Sequence, residues 1–168
     1  MNVILCGMMG VGKTTVGKKI AEITGREFCD TDALIVEEHG EIADIFKTHG
    51  ESYFRVLESA IVKKLSTKDG LIISTGGGLV LKEENVNTLK EKGKIVFLRA
   101  TIETLVKRLQ ADKTRPLLQS NESLQTRLET LLSTRSPVYE SVADCVVDVE
   151  EKTPEQLALE IAKLTGDK

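Results

Sequence analysis

The sequence predicts an α/β fold in three layers, with helices on both faces of a mostly parallel sheet. The segment Gly7–Thr14 matches G-x-x-x-x-G-K-[ST], the pattern of a phosphate-binding loop, or P-loop. The apolar run Val3–Cys6 precedes this loop, and a helical pattern over residues 13–24 follows it. Apolar runs and helical patterns alternate along the rest of the chain. This alternation is typical of right-handed strand–helix–strand units, whose strands lie parallel.

The individual elements are predicted from the same two kinds of pattern. Strand-like runs occur at Val3–Cys6, Glu27–Cys29, Leu71–Ser74, Ile95–Leu98 and Cys145–Val149. Helical periodicity occurs over residues 13–24, 32–38, 42–48, 51–65, 82–92, 101–110, 122–135 and 154–165. Capping residues mark several helix ends: Gly25 follows the first helix, Thr101 precedes the sixth, and Thr153 begins a capping box before the last.

Length and composition favour one globular domain. The chain has 168 residues and a net charge of −3, with basic and acidic residues interleaved. A nucleic-acid interface needs clustered basic residues, and a membrane span needs an apolar run of about 20 residues. The sequence has neither feature, and its three scattered cysteines suggest buried, reduced thiols. We therefore expect a monomeric, cytoplasmic protein without nucleic-acid or membrane partners. The charged, aperiodic segment 111–122 is predicted to be a loop over the site.

The P-loop predicts binding of a nucleoside triphosphate. Gly7, Gly10 and Gly12 permit backbone angles that let consecutive N–H groups surround a phosphate. The N-terminus of the following helix adds its dipole to this anion site. Lys13 supplies a positive charge for the β- and γ-phosphates, and the Thr14 hydroxyl is a suitable Mg²⁺ ligand.

A second ligand for Mg²⁺ is less clearly marked. Many P-loop proteins place an aspartate at the end of an apolar strand, but Leu71–Ser74 is followed by Thr75 and three glycines. The nearest alternatives are Asp30 and Asp32, at the carboxyl end of the short second strand, where ligands of α/β sheets gather. Either aspartate could instead cap the next helix.

Three further features allow two interpretations on the residues alone. Gly76–Gly78 is either a flexible connection or a place where a ligand approaches the backbone closely. Arg55 is either a site residue or the partner of Glu58 in a surface ion pair. Arg135 could simply interact with a helix C-terminus.

Together, these segments resemble the shikimate kinase family of the nucleoside-monophosphate-kinase-like group. The resemblance covers nearly the whole chain and rests on Gly7–Thr14, Asp30–Asp32, Gly50–Glu58, Gly76–Gly78, Arg115–Leu118 and Arg135–Tyr139. It implies a five-stranded parallel sheet in the order 2-3-1-4-5, substrate-binding helices at about residues 31–60 and a lid at about 111–122. It also implies transfer of the ATP γ-phosphoryl group to the 3-hydroxyl of shikimate, a step in aromatic amino-acid biosynthesis.

The resemblance implies nucleotide contacts at the P-loop and at two arginines, namely Gly10, Val11, Gly12, Lys13, Thr14, Thr15, Arg108 and Arg115. Arg108 would lie near the adenine, and Arg115, on the lid, would reach the phosphates. Thr14 and, through water, Asp30 would hold Mg²⁺.

For the acceptor, the resemblance implies that Asp32 accepts a hydrogen bond from the reacting hydroxyl. Arg55 and Arg135 would bind the substrate carboxylate, and the Gly77 N–H would contact the substrate. The implied catalytic residues are Lys13, Asp32 and Arg115.

Other functions fit the sequence less well. Gluconate kinase is the main alternative, since gluconate also carries a carboxylate and hydroxyls. Nucleoside monophosphate kinases are less favoured because the 111–122 segment is short for their lid. A GTPase switch would carry Asn-Lys-x-Asp and Asp-x-x-Gly, and the sequence contains neither pattern.

Overall fold

A computed structural model describes residues 1–111 and 123–166, which form a three-layer α/β fold. The sheet consists of β1 (Asn2–Cys6), β2 (Phe28–Asp30), β3 (Ile72–Ser74), β4 (Gly93–Arg99) and β5 (Cys145–Asp148). All neighbouring strands pair in parallel, in the order β2-β3-β1-β4-β5. The predicted fold class and strand order are therefore confirmed.

Eight α-helices lie within the described ranges. They are α1 (Lys13–Thr24), α2 (Thr31–His39), α3 (Ile42–His49), α4 (Glu51–Ser66), α5 (Glu83–Lys90), α6 (Ile102–Gln110), α7 (Leu124–Val142) and α8 (Pro154–Thr165). A 3-10 turn at Leu79–Leu81 connects β3 to α5. No helix among the described residues is long and apolar enough to cross a membrane.

The central position of β1 in the sheet explains why residues Val3–Cys6 are all apolar and do not alternate with polar ones. Val3, Ile4 and Leu5 are completely buried, because helices cover both faces of the sheet. Its parallel neighbours β3 and β4 end at the same edge, where the P-loop leaves β1. That edge is where ligands bind in open α/β sheets.

The second strand differs from its prediction in one useful respect. It spans Phe28–Asp30 rather than Glu27–Cys29, so Asp30 is its last residue and pairs with Ser74 of β3. Sequence alone could not set this register because a three-residue strand carries almost no periodicity. Asp30 is therefore fixed by the sheet beside the end of β3.

Helix α7 was predicted to end at residue 135, and this prediction is wrong. The helix continues through Pro137 to Val142. Proline removes one helical hydrogen bond, which favours a helix end, but the last turn buries Tyr139 completely. Tertiary packing therefore outweighs the local preference of proline.

Other boundaries lie within two residues of those predicted. Cys6 and Cys29 are buried as expected, whereas Cys145 is only partly buried. The predicted lid, including Arg115, lies outside the described residues except for Ala111.

Candidate functional site

The P-loop runs from the end of β1 to the first turn of α1. Gly12 is the N-cap of α1 with a φ of 102° and, as a glycine, supplies no side-chain cap. The N–H groups of the first turn are therefore presented to the cleft, as an anion site requires. Lys13 donates from Nζ to the carbonyl oxygens of Gly7 at 2.7 Å and Met8 at 3.0 Å.

Asp30 caps the next helix, and it also lies beside the P-loop, where it stays a candidate metal ligand. Its Oδ1 accepts the backbone N–H groups of Asp32 at 3.0 Å and Ala33 at 3.2 Å, so it caps α2. Its Oδ2 accepts the hydroxyl of Thr14 at 2.8 Å. A carboxylate and a hydroxyl oxygen from two elements therefore meet beside the P-loop.

This pair of oxygens has the chemistry of a magnesium site. Mg²⁺ prefers oxygen ligands and keeps several waters, and it is commonly held by one or two protein oxygens together with phosphate oxygens. Within residues 1–111 and 123–166, no cluster of three or more His, Cys, Asp or Glu side chains could hold a metal alone. The residues present fit an ion shared with a bound nucleotide.

The three glycines Gly76–Gly78 each lie against a different side chain of the predicted site. A Cβ atom on Gly76 would lie 2.6 Å from Asp32 Oδ1, and one on Gly77 would lie 3.0 Å from Arg135 Nη1. On Gly78 it would overlap the guanidinium of Arg55. The absence of side chains on these glycines lets the three side chains lie against the backbone, which favours the close-approach interpretation over a merely flexible connection.

Arg55 does not form the simple surface pair that its spacing suggested. Its Nη1 donates to Glu58 Oε2 at 2.7 Å, and Glu58 is only 1% exposed. Burial raises the pKa of Glu58, the nearby charge of Asp32 adds to this effect, and Arg55 opposes it. Glu58 therefore belongs to the site, although sequence reasoning assigned it no role there.

Arg135 lies within α7 rather than at its end, because the helix continues to Val142. The helix C-terminus interpretation is therefore wrong. One turn later, Tyr139 is completely buried and donates from its hydroxyl to the carbonyl oxygen of Gly77 at 2.6 Å. The spacing of four residues that places both side chains on one helix face was the signal that could have identified Tyr139.

One cleft of about 1030 Å³ is lined both by the P-loop and by the side chains around the glycine segment. All predicted site residues among the described ones line it: Gly10, Val11, Gly12, Lys13, Thr14, Thr15, Asp30, Asp32, Arg55, Gly77, Arg108 and Arg135. The P-loop forms one part of this cleft, and the glycine segment with its two arginines forms another. Arg115, the remaining predicted residue, lies outside the described residues.

Arg108 connects the P-loop to a second cavity of about 610 Å³. Its Nη1 donates to the carbonyl oxygen of Val11 at 2.9 Å. Residues 149–153 line this cavity together with Arg108. Within that loop, Glu150 accepts the backbone N–H of Thr101 and the hydroxyl of Thr104, both at 2.8 Å. These two hydrogen bonds lower the pKa of Glu150 and attach the loop to the start of α6.

Comparisons with known proteins agree with one another. A family model described as Shikimate kinase matches residues 9–165. The chain is 42% identical over 164 residues to a Shikimate kinase from Histophilus somni (strain 2336), which covers 97% of this chain and 94% of that protein. A solved Shikimate kinase from Acinetobacter baumannii in complex with shikimate aligns with a TM-score of 0.91 and 38% identity, over 97% of this chain and 91% of the other.

A gluconokinase from Sinorhizobium meliloti 1021 is less similar. It aligns with a TM-score of 0.62 and 20% identity, over 99% of this chain and 94% of the other. At this identity the likeness is one of fold alone.

Proposed function

Because the chain belongs to the shikimate kinase family, we propose that its cleft binds ATP beside shikimate and transfers the γ-phosphoryl group to the 3-hydroxyl of shikimate. The protein is an ATP-dependent kinase that acts on an alcohol. The observation that carries the substrate assignment is the shared cleft, in which Arg55, Arg135 and Asp32 surround a glycine segment beside the P-loop.

At the nucleotide end, the P-loop amides and Lys13 bind the β- and γ-phosphates. Thr14 and, through water, Asp30 would hold Mg²⁺, which would supply neutralisation of phosphate charge. The 2.8 Å separation of their oxygens supports this assignment. Lys13 then stabilises the charge that develops on the γ-phosphoryl group in the transition state.

At the acceptor end, the guanidinium groups of Arg55 and Arg135 bind the shikimate carboxylate. Each guanidinium can donate two parallel hydrogen bonds to a carboxylate, which fixes orientation as well as charge. Asp32 accepts a hydrogen bond from the 3-hydroxyl, and the Gly77 N–H contacts the substrate. This placement directs the hydroxyl oxygen toward the γ-phosphorus, and positioning supplies much of the catalysis in phosphoryl transfer.

Two arginines complete the proposed nucleotide site. Arg108, held against the P-loop through Val11, is placed beside the cavity that we assign to the adenine. Arg115, which lies outside the described residues, is proposed from the family resemblance to contact the phosphates of bound ATP.

We further propose that the whole chain forms one monomeric kinase domain that acts in the cytoplasm, with small-molecule partners only. The buried thiols of Cys6 and Cys29 suit a reducing compartment, where ATP is also available. Mixed surface charge, with a net charge of −3, favours small substrates over nucleic acid.

An acceptor comparison tests the proposed function. ADP release is measured in a coupled assay with shikimate, gluconate or a nucleoside monophosphate, and with no acceptor. We expect only shikimate to raise the rate. In Lys13→Ala, kcat should fall about 100-fold or more, which corresponds to roughly 3 kcal/mol of transition-state stabilisation. The matched control Lys18→Ala removes an exposed lysine of the same helix and should leave the rate unchanged.

Two results would contradict the proposal. Slow ADP release that no acceptor changes would indicate a nucleotide switch, and a preference for gluconate would reject shikimate as the acceptor.

A further inference from the structure

Tyr139 is the largest completely buried side chain beside the cleft. Its ring lies 5.1 Å from the ring of Phe97, centroid to centroid, on the central part of the sheet. This packing leaves the phenol with one orientation. The hydroxyl therefore occupies a fixed position, and its hydrogen-bond partner is fixed with it.

That partner is the backbone of the glycine segment. The Tyr139 hydroxyl donates to the Gly77 carbonyl oxygen at 2.6 Å, at the short end of the range for such bonds. A Cβ on Gly77 would lie 3.6 Å from the same hydroxyl and 3.8 Å from the carbonyl oxygen of Gly7. Gly77 thus lies between α7 and the first residue of the P-loop.

A second buried hydroxyl holds the preceding residue. Thr31 is completely buried, and its Oγ1 accepts the backbone N–H of Gly76 at 3.0 Å. Glycine has little conformational preference of its own, so such external hydrogen bonds determine its backbone orientation. The bonds at the Gly76 N–H and the Gly77 carbonyl hold the peptide planes on either side of the Gly77 N–H. The plane between them, which carries the Gly77 N–H, is held at the Gly76 carbonyl oxygen by the N–H of Leu79 at 3.2 Å.

We propose that Tyr139 is a positioning residue for the acceptor: its hydrogen bond to Gly77 orients the Gly77 N–H toward shikimate and keeps the glycine segment aligned with Arg135. This inference rests on the proposed function. Arg135 precedes Tyr139 by one helical turn, and its Nη1 lies 3.0 Å from the place of a Gly77 Cβ. One face of α7 therefore carries both Arg135, which binds the shikimate carboxylate, and Tyr139, which holds the backbone of Gly77.

Tyr139 acts through geometry and not through proton transfer. Burial raises the pKa of Tyr139 to about 12, against a smaller opposing effect of Arg135. The hydroxyl therefore stays protonated and remains a donor throughout the physiological pH range.

The test is Tyr139→Phe, which keeps the ring and removes only the donor. We expect the KM for shikimate to rise about 10-fold while the KM for ATP changes by less than about twofold. The matched control is Thr165→Val. Thr165 is the last residue of α8, is 4% exposed, and donates to the Ile161 carbonyl oxygen at 2.9 Å. Loss of this buried hydroxyl should lower stability and leave both KM values unchanged.

An unchanged KM for shikimate in Tyr139→Phe, or an equal rise in both KM values, overturns the proposal. If that variant does not fold, Thr31→Val tests the same support by removing the acceptor of the Gly76 N–H, and an unchanged shikimate KM there overturns it equally. Failure of the proposed function is distinguishable, because the unmodified protein would then not phosphorylate shikimate at all.

Discussion

Arg55 donates from Nη1 to Glu58 Oε2 at 2.7 Å, and Glu58 is almost completely buried at 1% exposure. Through Nη2 the same arginine donates to the exposed Glu51 at 3.1 Å. Two acids of α4 thus hold the guanidinium where it lies against Gly78. A buried carboxylate therefore fixes the arginine that we propose binds the shikimate carboxylate.

This buried carboxylate predicts a pH dependence of stability. Burial raises the pKa of Glu58 above its ordinary value of 4.5, so the folded state binds this proton more tightly than the unfolded state. The resulting contribution to the free energy of unfolding is present in full below about pH 4.5 and is lost as the pH rises through the raised pKa. Glu58→Gln removes the titrating group.

We therefore expect the free energy of unfolding of the unmodified protein, minus that of Glu58→Gln, to fall as the pH rises above 4.5. Urea titrations at several pH values measure this difference. Glu51→Gln, which removes the exposed partner of Arg55, is the matched control for the loss of an ion pair with this arginine. If the difference for Glu58→Gln is constant with pH, burial does not raise the pKa of Glu58.

Asp30 offers a substitution that separates metal binding from helix capping. Asparagine caps helices about as well as aspartate, so Asp30→Asn should preserve the hydrogen bonds to α2 while removing the charge beside Thr14. We expect stability to change by less than about 0.5 kcal/mol. The Mg²⁺ concentration that gives half-maximal activity should rise. An unchanged Mg²⁺ dependence would remove Asp30 from the metal site.

Substitution of Gly78 tests why glycine is needed there: because a side chain has no room, or because of the backbone conformation. Its φ of −97° and ψ of −6° suit alanine, but a methyl group would overlap the guanidinium of Arg55. We expect Gly78→Ala to raise the KM for shikimate with little effect on the KM for ATP, measured in the coupled assay.

The matched control for Gly78→Ala is Gly25→Ala. Gly25 has a φ of 68°, which strains alanine, and a methyl group there would meet no atom of the described residues within 4 Å. This variant should lose about 1 kcal/mol of stability and keep both KM values. A normal shikimate KM in Gly78→Ala would show that Arg55 can move aside without loss.

The sequence predicts best those parts of the site that are local. The P-loop is one contiguous motif between a strand and a helix, so its ligand class could be read from neighbouring residues. The strand order was available only through the family resemblance. The sequence indicates Asp30 as a candidate metal ligand. Its pairing with Ser74 could not be predicted, because it depends on the register of the sheet.

The missed features depend on contacts between distant segments. Glu58 lies on the apolar face of α4, four residues from both Phe54 and Val62, and this spacing was a local signal that it is buried. That this face meets the glycine segment could not be predicted from α4 alone. Pro137 suggested a helix end, but the burial of Tyr139 two residues later extends α7. In this second case, tertiary packing overrides local preference.

The central claim is that one cleft delivers the γ-phosphoryl group of ATP to shikimate. Phosphorus NMR of a reaction containing the protein, Mg·ATP and shikimate tests it most directly, because it identifies the product as well as the loss of ATP. We predict a new phosphomonoester signal that grows in step with ADP and requires shikimate. Formation of ADP with inorganic phosphate alone would contradict the account.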